Sequence, residues 1–85
     1  MSANIEYNGW KNRKTWNVAL WIQNDEPKYR NAKKYMSDNK GKGGYIPFIL
    51  LMQDRRVFGK ETADGVEWLD DSLDYKALNE MMQEL

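Results

Sequence analysis

"YNGWKNRKTWNVALWIQND", residues Tyr7 to Asp25, holds three of the four tryptophans of an 85-residue chain. Asn8-Gly9 is a turn signal. Asn12 can cap a helix, its side-chain oxygen accepting a backbone N–H one turn in. The helix then runs to about Asn24. Asp25-Glu26-Pro27 ends it and begins another, with Asp25 as a cap and Pro27 in a first turn that needs no N–H. A helix start, a stop and a second start within twenty residues set the fold class: mostly α, a compact single domain of three to four helices.

Turning roughly 100° per residue from Trp16, Ala19 and Leu20 fall on its face. Val18 and Ile22 lie opposite. Trp21 falls between, in a stripe with Lys14, Asn17 and Asn24. Trp16 is therefore expected in the core, and Trp10 as a lid over the first turn. Trp21 has two readings, a ring covered by another helix or an exposed anchor beside Lys14 and two amides. Exposed tryptophans of that kind are enriched at binding hot spots and also stack nucleobases.

The second helix spans about Glu26 to Ser37, with an apolar stripe of Tyr29, Ala32, Tyr35 and Met36. "SDNKGKGG", Ser37 to Gly44, reads as a flexible linker. A third helix is expected from about Ile46 to Val57. Its apolar residues surround the wheel, which predicts burial on more than one face. Gly59 to Trp68 reads as an irregular connection pinning Val66 and Trp68 onto the core. A short two-stranded β contact through Val66-Glu67-Trp68 would pair with the segment around Ile5 and Tyr7. Asp70, Asp71 and Asp74 lead into a last helix, where Leu78, Met81, Met82 and Leu85 repeat at helical spacing. Met1 to Tyr7 reads as a loose arm. The expected core is Trp10, Trp16, Leu20, Leu51, Leu78 and Met82.

The front pattern, NGWxNxxTWxVxLWxxND, resembles a family of small uncharacterised proteins of bacteriophages, including cyanophages, and of some bacterial and plasmid genomes. Asp64-Gly65-Val66 and Leu78 to Met82 resemble it too, while Lys28 to Lys60 has no clear counterpart. Members often carry an acid near Lys14, so this chain is more basic there. The resemblance implies an accessory protein acting in the cytoplasm of a bacterial host, with no established activity.

Composition narrows the chemistry. The chain has no cysteine and no histidine, which removes disulfides, the usual zinc ligands and the commonest general base and thiol nucleophile. Ser2, Ser37 and Ser72 fall in loops or caps. "DDSLD", Asp70 to Asp74, lacks the spacing of a calcium loop, and "GKGG", Gly41 to Gly44, lacks that of a phosphate loop. Neither an enzyme nor a cofactor or metal is expected, and no segment is long enough to span a membrane.

The net charge is zero, yet Met1 to Lys42 carries nine Lys/Arg against four Asp/Glu, and Gly43 to Leu85 the reverse, four against nine. The halves can attract one another within one molecule or between two copies, or the basic half can face an anionic partner. The sequence thus points to a non-enzymatic protein-interaction module whose partner is a host or phage protein, with homodimerisation open. Its expected patch is Trp21, Lys14 and Asn17, flanked by Lys33 and Lys34. The alternative is single-stranded nucleic-acid binding by the basic, aromatic first half.

Overall fold

The structure is a computed structural model that describes residues 9–40 and 42–85. The expected arm and the pairing with Ile5 and Tyr7 lie outside those residues. Four helices follow in order: α1 (Arg13–Asn24), α2 (Glu26–Asp38), α3 (Tyr45–Asp54) and α4 (Tyr75–Gln83). The fold is mostly α. α4 packs against the other three helices, and α1 against α2.

The local signals place the first elements. Asn12 caps α1, its Oδ1 accepting the Thr15 N–H at 2.9 Å. Asp25 stands at the N-cap position of α2, but its side chain makes no capping hydrogen bond and pairs with Lys28 at 3.3 Å instead; Pro27 sits in the first turn as expected. Asp74 caps α4 by accepting the Ala77 N–H at 3.1 Å. α3 has no side-chain cap of its own. Asn79 of α4 supplies one, its Oδ1 accepting the Tyr45 N–H at 2.8 Å.

α1 turns inward mainly the side around Ile22 rather than the one around Trp16, with Ala19 of the Trp16 face at its edge. Thr15, Val18, Ala19 and Ile22 are buried, while Trp16 and Leu20 are half-buried. Positions i, i+3, i+4 and i+7 make one stripe, and Ala32 and Met36 of α2 are buried in the same core cluster. Trp10 and Leu51 are also half-buried, packed against the core rather than within it, and Leu78 and Met82 are fully buried as expected. Trp10 lines a hollow with Ala77, Glu80 and Met81 of α4.

The tryptophan at the centre is Trp68, 1% exposed, from outside the opening stretch. It ends a chain of rings. Tyr35 meets Phe48 at 5.3 Å between centroids, Phe48 meets Phe58 edge-on at 5.6 Å, and Phe58 meets Trp68 at 4.6 Å. The Tyr45 hydroxyl, buried nearby, donates to the Trp68 carbonyl at 2.7 Å. Burial, with Tyr75 close by, pushes the Tyr45 pKa far up, so the phenol stays protonated and remains a donor.

α3 stops three residues short of the expected Val57. Arg56 adopts a left-handed φ of 59°, and the N–H groups of Val57 and Phe58 both turn back to the Met52 carbonyl. That reversal drops Phe58 onto Trp68. Residues 60–68 then form a small hairpin, with Thr62 N–H on the Val66 carbonyl, Trp68 N–H on that of Lys60 and an antiparallel bridge between Glu61 and Glu67. Val66 and Trp68 thus pair with the segment just before them.

Two glycines of the 37–44 connection are fixed by contact rather than placed for slack. A Cβ on Gly43 would overlap the Tyr35 ring, and one on Gly44 would meet Asn79 Oδ1 at 3.1 Å.

Candidate interaction surface

The stripe of α1 that carries Lys14, Asn17 and Trp21 faces the 60–70 segment. Asn17 is 1% exposed, which corrects its expected place in an open patch. Its Oδ1 accepts the Thr62 hydroxyl at 2.7 Å, and its Nδ2 donates to Asp64 at 2.8 Å. Trp21 is half-buried and donates its indole N–H to the same Asp64 oxygen at 3.0 Å. Lys14 pairs with Asp70 at 3.1 Å. Among the described residues, this is the ion pair that joins the basic half to the acidic half; the other four lie within one half.

The carboxylates of this seam are held acidic. Hydrogen bonds from Asn17 and then Trp21 lower the pKa of Asp64 from its ordinary value. Asp70 is pulled down to about 2, first by the Ser72 hydroxyl and backbone N–H and then by Lys14. The Asp70 to Asp74 run is accordingly occupied with structure: Asp70 caps the turn at Ser72 and Asp74 caps α4. No group of three acids among the described residues is arranged to hold a metal ion.

The opening motif has a second tie. Asn12 also donates its Nδ2 to the Ser72 carbonyl at 2.7 Å, and Thr15 accepts the Asp74 N–H at 3.0 Å while donating to Asn12. The same cap that starts α1 therefore anchors the chain entering α4. Among the described residues, no buried side-chain nitrogen or oxygen lacks a hydrogen-bond partner.

Lys33 and Lys34 are exposed and engaged on α2 itself. Lys33 stands over Tyr29 at 5.6 Å, and Lys34 pairs with Asp38 at 3.1 Å. The cation that the helix pair brings to Trp21 is Lys28. Its Nζ lies 5.8 Å from the Trp21 ring and 5.5 Å from Phe58, and it also pairs with Asp25 at 3.3 Å.

Among the described residues, the large exposed apolar side chains lie on α3 and just past it. Tyr45, Phe48, Ile49 and Met52 are buried, and the expected burial of further faces does not occur. Ile46 is 41% exposed and Leu50 52%, one turn apart; Val57, just past the helix, is 47% exposed. Charges stand at both ends of the strip: Lys42 before the helix, and Asp54, Arg55 and Arg56 at its close. On its other flank, α3 borders a cleft of about 300 Å³ against α2, walled by Leu51, Met52 and Arg55 on one side and by Asn31, Lys34, Tyr35, Asp38 and Asn39 on the other. The one sequence signal for this surface is the apolar wheel of α3, which carries more apolar positions than one buried face needs.

No helix among the described residues is long and apolar enough to cross a membrane. No curated protein and no solved structure matches the chain. The sequence profile of a family of unknown function does match, and it runs from residue 3 to residue 85, through the capped α1, the hairpin and α4 alike. The chain belongs to that family, DUF7249.

Proposed function

We propose that this protein is a small non-enzymatic interaction module, a phage-type accessory protein that binds a host or phage protein in the cytoplasm of a bacterial cell. The observation behind this reading is the half-covered α3. A helix apolar around its whole circumference belongs in an interior, and this one has a core on one side only. Ile46 and Leu50, one turn apart on α3, are exposed aliphatic side chains, and Val57 just past the helix is a third; exposed apolar surface marks a contact site when it is contiguous. The lack of histidine and cysteine leaves little catalytic chemistry beside it. In this reading Trp21, Lys14 and Asn17 hold the 60–70 segment, and recognition moves to α3.

Single-stranded nucleic acid remains the second reading, and it has less behind it. Lys14, Lys28, Arg30 and Lys34 each already hold a carboxylate, and Trp21 gives its polar edge to Asp64.

The test is a photo-crosslinking side chain at position 50, with one at the exposed Lys76 of α4 as control, in the bacterial cells that carry the gene. Discrete protein adducts confined to position 50 are the expected result. Identical adducts at both positions, or none at position 50, would overturn the proposal.

A further inference from the structure

We infer that Asp64-Gly65 is a site of spontaneous isomerisation to isoaspartate, and that the seam between α1 and the hairpin is the latch that keeps it unreacted. The inference is independent of what covers α3. Asp-Gly occurs once in the chain, in the turn between Thr62 and Val66. Glycine has no Cβ to hinder approach to its own amide nitrogen, which makes this dipeptide the most open of the aspartyl pairs to the reaction.

The chemistry needs only water. The Gly65 amide nitrogen gives up its proton and attacks Cγ of Asp64 in its acid form. An N–Cγ bond forms, the Cγ–OH bond breaks, and one water leaves a five-membered succinimide behind. Water then adds to the ring. Breaking the N–Cγ bond restores aspartate. Breaking the bond from the nitrogen to the main-chain carbonyl of Asp64 instead gives isoaspartate, its backbone routed through Cβ and Cγ and one carbon longer. One water leaves and one enters, so the mass is unchanged.

The fold restrains both reacting groups. Asp64 Oδ2 accepts the Asn17 amide N–H at 2.8 Å and the Trp21 indole N–H at 3.0 Å. Asn17 is itself buried and fixed by the Thr62 hydroxyl at 2.7 Å. These bonds, that of Asn17 first, hold the Asp64 pKa below its ordinary value, so the acid form is scarce. The nucleophile is engaged too, since the Gly65 N–H donates to the Thr62 carbonyl at 2.9 Å. Water has free access, because Asp64 and Gly65 are both exposed. Reaction therefore waits on a local opening of the seam that frees both groups. The product does not fit the closed form. Its extra backbone carbon falls inside the turn that joins the Thr62 N–H to the Val66 carbonyl at 2.8 Å. Its carboxylate stands on a different carbon from the one that Asn17 and Trp21 hold.

In the test, full-length protein is incubated in warm, mildly acidic buffer, and isoaspartate at position 64 is counted by electron-transfer fragmentation of its proteolytic peptide. Wild type is compared with the same chain unfolded in urea, with the seam variants Asn17→Ala and Trp21→Phe, and with Asn79→Ala, which loosens the 43–44 corner instead. Circular dichroism checks that each variant is folded at the start. Trp21→Phe keeps a ring and removes one donor, so the test survives if Asn17→Ala does not fold. Isoaspartate should accumulate readily in the unfolded chain and about tenfold more slowly in wild type, because only the open fraction reacts. Trp21→Phe should react several-fold faster than wild type, and Asn79→Ala at the wild-type rate. No isoaspartate in the unfolded chain would overturn the site itself. Three outcomes would overturn the latch: wild type as fast as the unfolded chain, Trp21→Phe as slow as wild type, or Asn79→Ala as fast as Trp21→Phe.

Discussion

The Thr62 hydroxyl donates to the Asn17 side-chain oxygen at 2.7 Å, with both groups buried and 45 residues apart in sequence. Thr62 Oγ1 also accepts the N–H groups of Asp64 and Val66, so one hydroxyl joins α1 to the turn of the hairpin. Removing one partner of such a bond leaves the other desolvated and unpaired, whereas removing both is close to neutral. Asn17→Ala should cost about 2 kcal/mol. Adding Thr62→Val should then cost less than its own single effect predicts, the remainder being the Asp64 and Val66 N–H groups that lose their acceptor. Urea melts of the four-member cycle measure this, and strictly additive costs would dissolve the proposed coupling.

The four tryptophans should separate by role. Trp68→Ala removes the end of the ring chain and should cost about 3–5 kcal/mol. Trp16→Ala, on the half-buried side of α1, should cost about 1–2 kcal/mol. In fluorescence, Trp68→Phe should remove the bluest component of the emission. A larger loss of stability from Trp16 than from Trp68 would return the core to the opposite face of α1.

The 43–44 corner should respond to very small changes. Asn79→Ala withdraws the acceptor that caps α3 and should cost about 1 kcal/mol. Gly43→Ala sets a methyl group against the Tyr35 ring and should cost about 1–3 kcal/mol through overpacking. Gly59, with open space around its Cα, is the control, and Gly59→Ala should be tolerated far better. Equal thermal shifts at Gly43 and Gly59 would mean that the connection is slack after all.

Acid should loosen the seam between α1 and the 60–70 segment. Asp64 and Asp70 have folded-state pKa values below their ordinary 3.8, Asp70 at about 2. The unfolded chain therefore binds more protons as pH drops through that range, and stability falls with it. The contribution is complete above the unfolded value and disappears as pH passes the folded ones. Asp64→Asn/Asp70→Asn should flatten the dependence of the urea midpoint between pH 6 and pH 3, because the amide oxygens still accept but no longer titrate. A double variant that parallels wild type across this range would remove these two groups from the account.

The parts legible in the sequence were those written in neighbouring residues. Asn12 and Asp74 mark helix starts by side-chain caps that act within one turn, and Pro27 marks the start of α2 by its fixed φ. The inward face of α1 was not legible, because both sides of that helix carry apolar residues. Which side turns in is set by tertiary packing with the other helices, and the large area of Trp16 alone does not decide it. Thr62-Ala63-Asp64-Gly65 could have been found as a turn, with Gly65 at a φ of 87°. Its partners could not, since Asn17 and Trp21 lie 47 and 43 residues from Asp64. The exposure of α3 escaped for the same reason in reverse: among the described residues, Ile46 and Leu50 on its wheel stay exposed.

The seam around Asp64 also bears on the order in which the molecule assembles. α1 and α2 are joined by a single residue, so their pairing closes almost no loop. The bonds from Asn12, Lys14, Asn17 and Trp21 to Ser72, Asp70 and Asp64 each close a loop of more than forty residues. Loop closure must precede the reward from distant contacts, so the helix pair should form early and the 60–70 segment should dock late. In stopped-flow measurements, Asp64→Ala should then speed unfolding and leave the folding rate nearly unchanged. A folding limb slowed in proportion to the lost stability would put the seam in the folding nucleus, and the second half of the chain would guide the first.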